Sequence, residues 1–304
     1  MFIIKGVFIS ITIVLLFLYF QSAYLQDKLA PIAIDDILLN NDDSGKKEKQ
    51  KILVVKDKGT LENVYKIIWD ATTGMIQQGR VPEPLQNRRQ YAVSIVAELS
   101  FLNSEMGEKL EAIASNLKSV CPSLSVLSKE LLHFTLFVIV YDIPLAEITE
   151  QTPRLDIQMV NTVSNIFNSI DLVTVQFEGV NLGPDGGVFV QGHVQEDTIF
   201  ELRNKLSDEF PDEKRRSPLV HMTLGRIASP VDIEEFKKLY DEIEGLRNMD
   251  FGRVDVRCAR IIADTDRFGT DREDKSYLVY RKSSGRRIIY QLKIPPRDST
   301  SGSN

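Results

Sequence analysis

Two tetrapeptides of one form, His133-Phe134-Thr135-Leu136 and His221-Met222-Thr223-Leu224, decide how this sequence folds. They lie in the apolar runs LLHFTLFVIV (131–140) and SPLVHMTLGRI (217–227), and such runs are typical of β-strands. Because side chains alternate between the faces of a strand, each histidine shares a face with the threonine two residues later. Each strand therefore offers one imidazole and one hydroxyl together, backed by apolar residues on its other face.

Strands and helices alternate around these two strands. A strand–helix–strand pattern occurs twice, and each occurrence ends on a histidine strand, which predicts an α+β fold of two similar lobes around a shared cleft. The other predicted strands are YAVSIVAEL (91–99), LVTVQFEGVNL (172–182), GGVFVQGHV (186–194), Val254–Ala263 and the hairpin YLVYRKSSGRRIIYQL (277–292), and the predicted helices are Leu61–Ala71, Ser104–Ser119, Asp156–Ile170, Thr198–Phe210 and Val231–Asn248.

Composition limits the classes of partner. The 304 residues are 43% apolar and 26% charged, with a net charge of −6. An acidic chain is unsuited to an extended grip on nucleic acid, which needs a broad basic surface, whereas a small phosphate site needs only a few donors. Cys121 and Cys258 are too few for a disulfide framework or a C-x-x-C motif. We expect a monomer with a small-molecule substrate.

The N-terminus predicts a membrane segment. Residues 6–20 (GVFISITIVLLFLYF) are uncharged and almost wholly apolar, and the stretch extends to Leu25, close to the ~20 residues that a membrane helix needs. We expect residues 1–25 to be a single-pass anchor with the bulk of the chain lumenal or extracytoplasmic, because Lys5 precedes the stretch and acidic residues follow it. The alternative is a cleaved signal peptide and a secreted protein.

The rest of the chain divides by composition. Residues 26–90 are predicted to be a tether and an N-terminal extension packed on the main domain, with a polar run at 40–50 and a helix near Leu61. Residues 91–294 form the main domain, and residues 295–304 are expected to be a disordered tail.

The paired motifs resemble those of the two-histidine (2H) phosphoesterase superfamily, which includes the RNA ligase-like 2′,3′-cyclic phosphodiesterases. The resemblance covers roughly Tyr91–Ile294, including the element order and the closing YQLKIP strand (290–295). It implies a bilobal fold with a central cleft and no metal or cofactor. It also implies that His133 and His221 are the acid–base pair and that Thr135 and Thr223 bind the substrate phosphate.

The residue types suit this chemistry independently. In-line displacement at phosphorus needs a base on one side of the phosphorus and an acid on the other. Histidine serves in both roles because its ordinary pKa, about 6.5, lies near neutrality. Threonine hydroxyls can donate to the non-bridging oxygens, where charge builds in the transition state. The sequence leaves open which histidine is the acid.

Further candidates are weaker. Arg226 follows the second motif and could bind phosphate, but strict alternation places it opposite His221 unless Gly225 bends the strand. Tyr91 could stack on a base, with core packing as the alternative. His193 fits a polar position at a strand end better than a metal site, because no zinc-ligand spacing surrounds it.

Two functions are therefore weighed. The first is a metal-independent phosphodiesterase acting on a 2′,3′-cyclic phosphate or a related small nucleotide or RNA-end phosphodiester. The alternative is a catalytically inactive, membrane-tethered module that binds a nucleotide or RNA. A third, weaker interpretation is a structural protein, since a single histidine in an apolar strand is usually a core residue.

Overall fold

The computed structural model describes residues 58–85, 89–211, 219–266, 275–280 and 289–293. The predicted anchor (1–25), most of the tether and the tail (295–304) lie outside the described residues. Ten strands are described: β1 Arg89–Glu98, β2 Leu124–Val126, β3 His133–Pro144, β4 Thr174–Leu182, β5 Gly187–Val194, β6 His221–Ile227, β7 Asp250–Asp255, β8 Cys258–Asp266, β9 Lys275–Tyr280 and β10 Ile289–Lys293.

Six α-helices accompany these strands in the described ranges. They are α1 Lys58–Gln77, α2 Leu99–Leu102, α3 Ser104–Val120, α4 Ile157–Ser169, α5 Thr198–Glu209 and α6 Ile233–Glu244, with short 3₁₀ turns at Lys129–Leu131 and Leu145–Glu147. Three begin at side-chain caps, in which Asn103, Asp156 and Asp232 accept from the backbone N–H three residues later. The predicted α+β class is confirmed.

All strand pairs are antiparallel, and the sheet runs in the order β10-β9-β8-β1-β3-β6-β5-β4-β7, with β2 also paired to β6. The two histidine strands are neighbours at its middle. They share a single residue pair, Phe134 with Met222, whereas β1 and β3 pair over eight residues. We call this narrow junction between β3 and β6 the seam.

The sheet curls strongly. A flat sheet would place β7 and β8 six strand spacings apart, roughly 29 Å. Only Val256 and Arg257 join these two strands, and so short a link reaches about 10 Å. The seven strands from β8 to β7 must therefore bend round until their outer ends meet. Helix α3 contacts the β7 end, where Lys109 Nζ donates to the carbonyl of Asp250 at 3.0 Å.

This closure corrects the prediction of one strand over Val254–Ala263. The chain instead leaves β7 at Asp255 and begins β8 at Cys258, so the run contributes to two strands that lie six places apart in the sheet order. The predicted helix near Leu61–Ala71 is confirmed and is longer, spanning Lys58–Gln77.

Helix α1 belongs to the same core as the sheet. Its buried residues, Leu61, Val64, Tyr65, Ile68, Trp69 and Met75, join the main hydrophobic cluster. Two polar contacts tie it to β4: Thr72 Oγ1 donates to the carbonyl of Leu182 at 2.6 Å, and Asn181 Nδ2 donates to the carbonyl of Tyr65 at 3.0 Å. The helix thus covers the β4–β5 half of the sheet.

The predicted membrane localisation is corrected. No helix in the part of the chain that the structure describes is long and apolar enough to cross a membrane. The single-pass arrangement with an extracytoplasmic domain is therefore not retained.

Adjacent isoleucines on α1 test this packing. Ile68 is 1% exposed and Ile67 is 41% exposed. Ile68→Ala removes buried contacts and is expected to lower the free energy of unfolding by about 2–5 kcal/mol. Ile67→Ala, the matched control, should change it by about 0.5 kcal/mol or less. Urea unfolding curves measure both, and equal effects would contradict the packing of α1 on the sheet.

Candidate active site

Both motifs present their polar residues on one face of the sheet. His133, Thr135, His221 and Thr223 are half-buried, whereas the alternating Phe134, Leu136, Met222 and Leu224 are fully buried. Since Phe134 pairs directly with Met222, the two apolar sets share one face and the two polar sets share the other. Carried one residue either way, this antiparallel register sets His133 against Thr223 and Thr135 against His221. The structure thus brings the four predicted residues together.

His133 is oriented by the backbone. Its Nδ1 lies 2.7 Å from the carbonyl of Leu131, and a carbonyl can only accept, so Nδ1 carries the proton and Nε2 is left for chemistry. Glu98 of β1 pairs with His133. The Glu98 carboxylate is buried and accepts from Arg260 Nη1 at 3.1 and 3.0 Å, while Arg260 Nε donates to Ser276 Oγ at 2.9 Å. An ion pair therefore adjoins this histidine.

His221 has a more apolar and more cationic setting. The Phe189 ring meets its imidazole edge-to-face at 5.3 Å between centroids, and Gln191 of β5 pairs with it. Burial, followed by the charges of Arg226, Arg203 and His133, lowers the pKa of His221 to about 3. At neutral pH this imidazole is uncharged and able to accept a proton.

Arg226 reaches the same face as His221 because β6 contains a bulge. The β5–β6 register shifts between Val188–Gly225 and Phe189–Thr223, which leaves Leu224 as an extra residue on β6. The strict alternation that placed Arg226 on the opposite face is therefore wrong, and the bend considered at Gly225 is present. Arg226 Nη1 lies 3.2 Å from Asp185 Oδ2 and is half-buried.

Sequence reasoning missed Arg203 on α5. Its buried guanidinium donates to three backbone carbonyls: Nε to Leu136 at 2.9 Å, and Nη2 to Thr135 at 3.2 Å and to Leu219 at 2.8 Å. Two of these carbonyls belong to β3, and the third belongs to a residue just before β6. The sequence does contain a signal for the burial of Arg203. This residue lies four residues after Ile199 and three before Leu206, within the apolar stripe of the helix.

The structure does not bring Tyr91 to the site. Tyr91 pairs with Ile143, ten residues along β3 from His133, which is roughly 30 Å at strand spacing. Its ring is 1% exposed and lies under the guanidinium of Arg154 at 4.8 Å, and its hydroxyl accepts from the N–H of Leu155 at 3.3 Å. Core packing, the alternative considered for Tyr91, replaces substrate binding.

His193 lies on the neighbouring strand β5. Its Nε2 is 3.3 Å from the carbonyl of Glu178, and its ring meets that of Tyr65 edge-to-face at 5.7 Å. Across the described ranges, no three His, Cys, Asp or Glu side chains cluster in a way that could hold a metal ion.

The fold was compared with known proteins. No protein-family model and no curated protein matches the sequence. Among solved structures, TT0787 of Thermus thermophilus is 11% identical with a TM-score of 0.39, and the match covers 66% of this chain and 95% of that one. Escherichia coli LigT complexed with 3′-AMP is 12% identical with a TM-score of 0.37, covering 68% and 97%. A phosphoesterase is 14% identical with a TM-score of 0.36, covering 67% and 96%.

These three structures share 11–14% of residues with this chain at TM-scores of 0.36–0.39. At TM-scores below 0.5 they add no argument about activity or substrate. The case for function therefore depends on the residues of this chain.

The low pKa of His221 predicts a pH-dependent stability difference. Between pH 6.5 and about 3, the unfolded chain binds a proton at His221 and the folded chain does not, so acid favours unfolding. His221→Gln removes this contribution. The free energy of unfolding of the variant, relative to wild type, is expected to rise steadily from pH 7 to pH 4 and to be constant above pH 8. Urea unfolding at each pH measures it, and a constant difference throughout would contradict the shifted pKa.

Proposed function

We propose that this chain is a metal-independent phosphodiesterase that hydrolyses a 2′,3′-cyclic phosphate, or a related small nucleotide or RNA-end phosphodiester, by paired-histidine acid–base catalysis. The observation that carries the proposal is the antiparallel apposition of the two motifs. The Phe134–Met222 pair, carried one residue either way, sets each histidine against the threonine of the other motif on one half-buried face. Diagonal neighbours on such a pair are about 7–8 Å apart, a gap that one phosphate group with a hydrogen bond on each side can fill.

The two histidines have different environments, which suit them to different roles. His221 is uncharged at neutral pH, and we assign it as the base that takes a proton from the attacking water. His133 donates through Nδ1 to the carbonyl of Leu131, which leaves Nε2 for the substrate, and we assign this histidine, in its doubly protonated form, as the acid. As the water oxygen bonds to phosphorus, the bond to the leaving ribose oxygen breaks, and His133 protonates that oxygen through Nε2.

The remaining groups would stabilise the negative charge that develops on the phosphate oxygens in the transition state. Thr135 and Thr223 can donate to the non-bridging oxygens, and Arg226 supplies a positive charge on the same side as His221. Asp185 holds the Arg226 guanidinium in place from the β4–β5 turn. The arrangement suits a small phosphodiester, in keeping with the net charge of −6.

Turnover by the purified full chain tests the reaction. With 2′,3′-cyclic nucleotides and excess EDTA, wild type is expected to hydrolyse substrate, and His133→Ala and His221→Ala should each lower kcat by about 10²–10⁴-fold. His193→Ala is the matched control and should retain activity. An active His133→Ala/His221→Ala double variant would overturn the proposal. Tight nucleotide binding without turnover would favour an inactive binding module instead.

The pH dependence tests the assignment of the base. The acidic limb of kcat/KM reports His221 in the free enzyme and should lie well below pH 6.5. A bound anionic phosphodiester offsets the nearby arginine charges, so the acidic limb of kcat should lie at higher pH than that of kcat/KM. Arg226→Met removes a cation and is expected to move the kcat/KM limb upward. If the acidic limb of kcat/KM lies at the same pH in Arg226→Met and in wild type, His221 is not the base.

A further inference from the structure

Backbone pairing between the two histidine strands is limited to one residue pair, so other contacts must fix the distance between them. β3 and β6 pair only at Phe134 and Met222. On one side of this pair, β6 leaves β3 and pairs with β2, where Val126 lies opposite Gly225. On the other side, a continued ladder would set Leu136 against Val220. No β3–β6 pair occurs there in the described part of the chain, so main-chain hydrogen bonds alone do not fix how far apart the motifs lie.

The Arg203 side chain joins β3 to the residues before β6 at the point where the two strands are no longer paired. Its guanidinium bridges the carbonyls of Thr135 and Leu136 on β3 to the carbonyl of Leu219, two residues before His221. A planar guanidinium holds its donors in a fixed fork, so three such bonds set a distance between the strands as well as joining them. Burial lowers the pKa of Arg203 to about 10, which leaves it charged at neutral pH.

Tyr65 of α1 holds Val220, the residue between Leu219 and His221. Its buried hydroxyl contacts the carbonyls of Val220 and, at 3.0 Å, Gly192, while the N–H of Gly192 donates to Val220 at 2.7 Å. A side chain at residue 192 would not fit, since an added Cβ would lie 2.7 Å from the Val220 carbonyl oxygen. The two residues before His221 are thus each held by a buried polar side chain from a different helix.

We propose that Arg203 and Tyr65 are positioning residues that fix the separation and orientation of the two histidine motifs. Arg203 spans the seam, and Tyr65 immobilises the β6 side through Val220. The inference rests on the proposed phosphodiesterase function for its kinetic consequence. A displacement of about 1 Å between acid and base can cost on the order of 100-fold in rate.

Substitutions at Arg203 separate its geometry from its charge. Arg203→Lys keeps the charge, but one ammonium cannot reproduce a fork that spans three carbonyls. We expect kcat to fall at least 10-fold at nearly unchanged KM. Arg203→Met removes the charge as well, so the pKa of His221, which also faces Arg226 and His133, should rise in this variant and not in Arg203→Lys. Lys205→Met, at an exposed position on the same helix, is the control.

Two measurements decide the matter. Steady-state kinetics gives kcat and KM, and proton NMR titration of the three histidines gives the pKa of His221 without any substrate, with assignment by single histidine substitution. Wild-type kcat in Arg203→Lys would overturn the positioning role. An unchanged His221 pKa in folded Arg203→Met would contradict the effect of the Arg203 charge on His221. Absence of turnover in wild type would contradict the proposed function alone, since the same spectra show whether Arg203→Lys shifts the imidazole signals of His133 and His221, as the positioning role requires.

Tyr65→Phe gives a test that does not depend on Arg203 variants folding. It keeps the ring and removes only the hydroxyl that holds Val220, so kcat should fall several-fold at little-changed KM, and the urea midpoint should fall by no more than one lost buried hydrogen bond explains. Tyr240→Phe is the matched control, because Tyr240 also bonds to α1, through Thr73 Oγ1 at 2.9 Å, but lies outside the seam. Equal kcat values in the two variants would overturn the role of Tyr65.

Discussion

The single pairing of Phe134 with Met222 is the constraint on which the rest of the structure depends. Seven antiparallel strands must bend far enough for β7 and β8 to be joined by two residues, and a continuous ladder resists such bending. The curvature is accommodated where pairing is weakest. The seam lies at the middle of the sheet, so reducing it to one pair lets the two halves turn towards each other.

The same seam creates the candidate site. A full ladder between β3 and β6 would place four neighbouring polar side chains on a flat, continuous surface. With one pair, the strands share no ladder on either side of it, and buried backbone carbonyls there need other donors. Arg203 supplies them at Thr135, Leu136 and Leu219. A buried cation that satisfies backbone groups also adds positive potential beside His221, so one residue affects both geometry and electrostatics.

Much of this arrangement is readable from the sequence, for local reasons. The motif strands were predictable because alternation is a property of any strand, and within the two tetrapeptides the half-buried and buried positions follow it residue by residue. Two features were not predictable, and a third was predictable only in part. The bulge at Leu224 depends on pairing with β5, and the break at Val256 depends on sheet closure. The apolar stripe of α5 indicates that Arg203 is buried, but its partners, the carbonyls of Thr135, Leu136 and Leu219, follow only from the tertiary structure. The bulge and the break are tertiary effects that override a local pattern.

Helix α1 shows how far the functional unit extends beyond the motifs. The resemblance to two-histidine phosphoesterases begins near Tyr91, yet α1 buries a continuous apolar face on β4 and β5 and places Tyr65 against the residue before His221. Trp69 strengthens this attachment, since it stacks on Tyr240 at 4.5 Å and lies under the Arg247 guanidinium at 4.0 Å. A helix held this firmly cannot shift without moving Val220. The second motif is therefore supported by a segment that its own sequence pattern does not include.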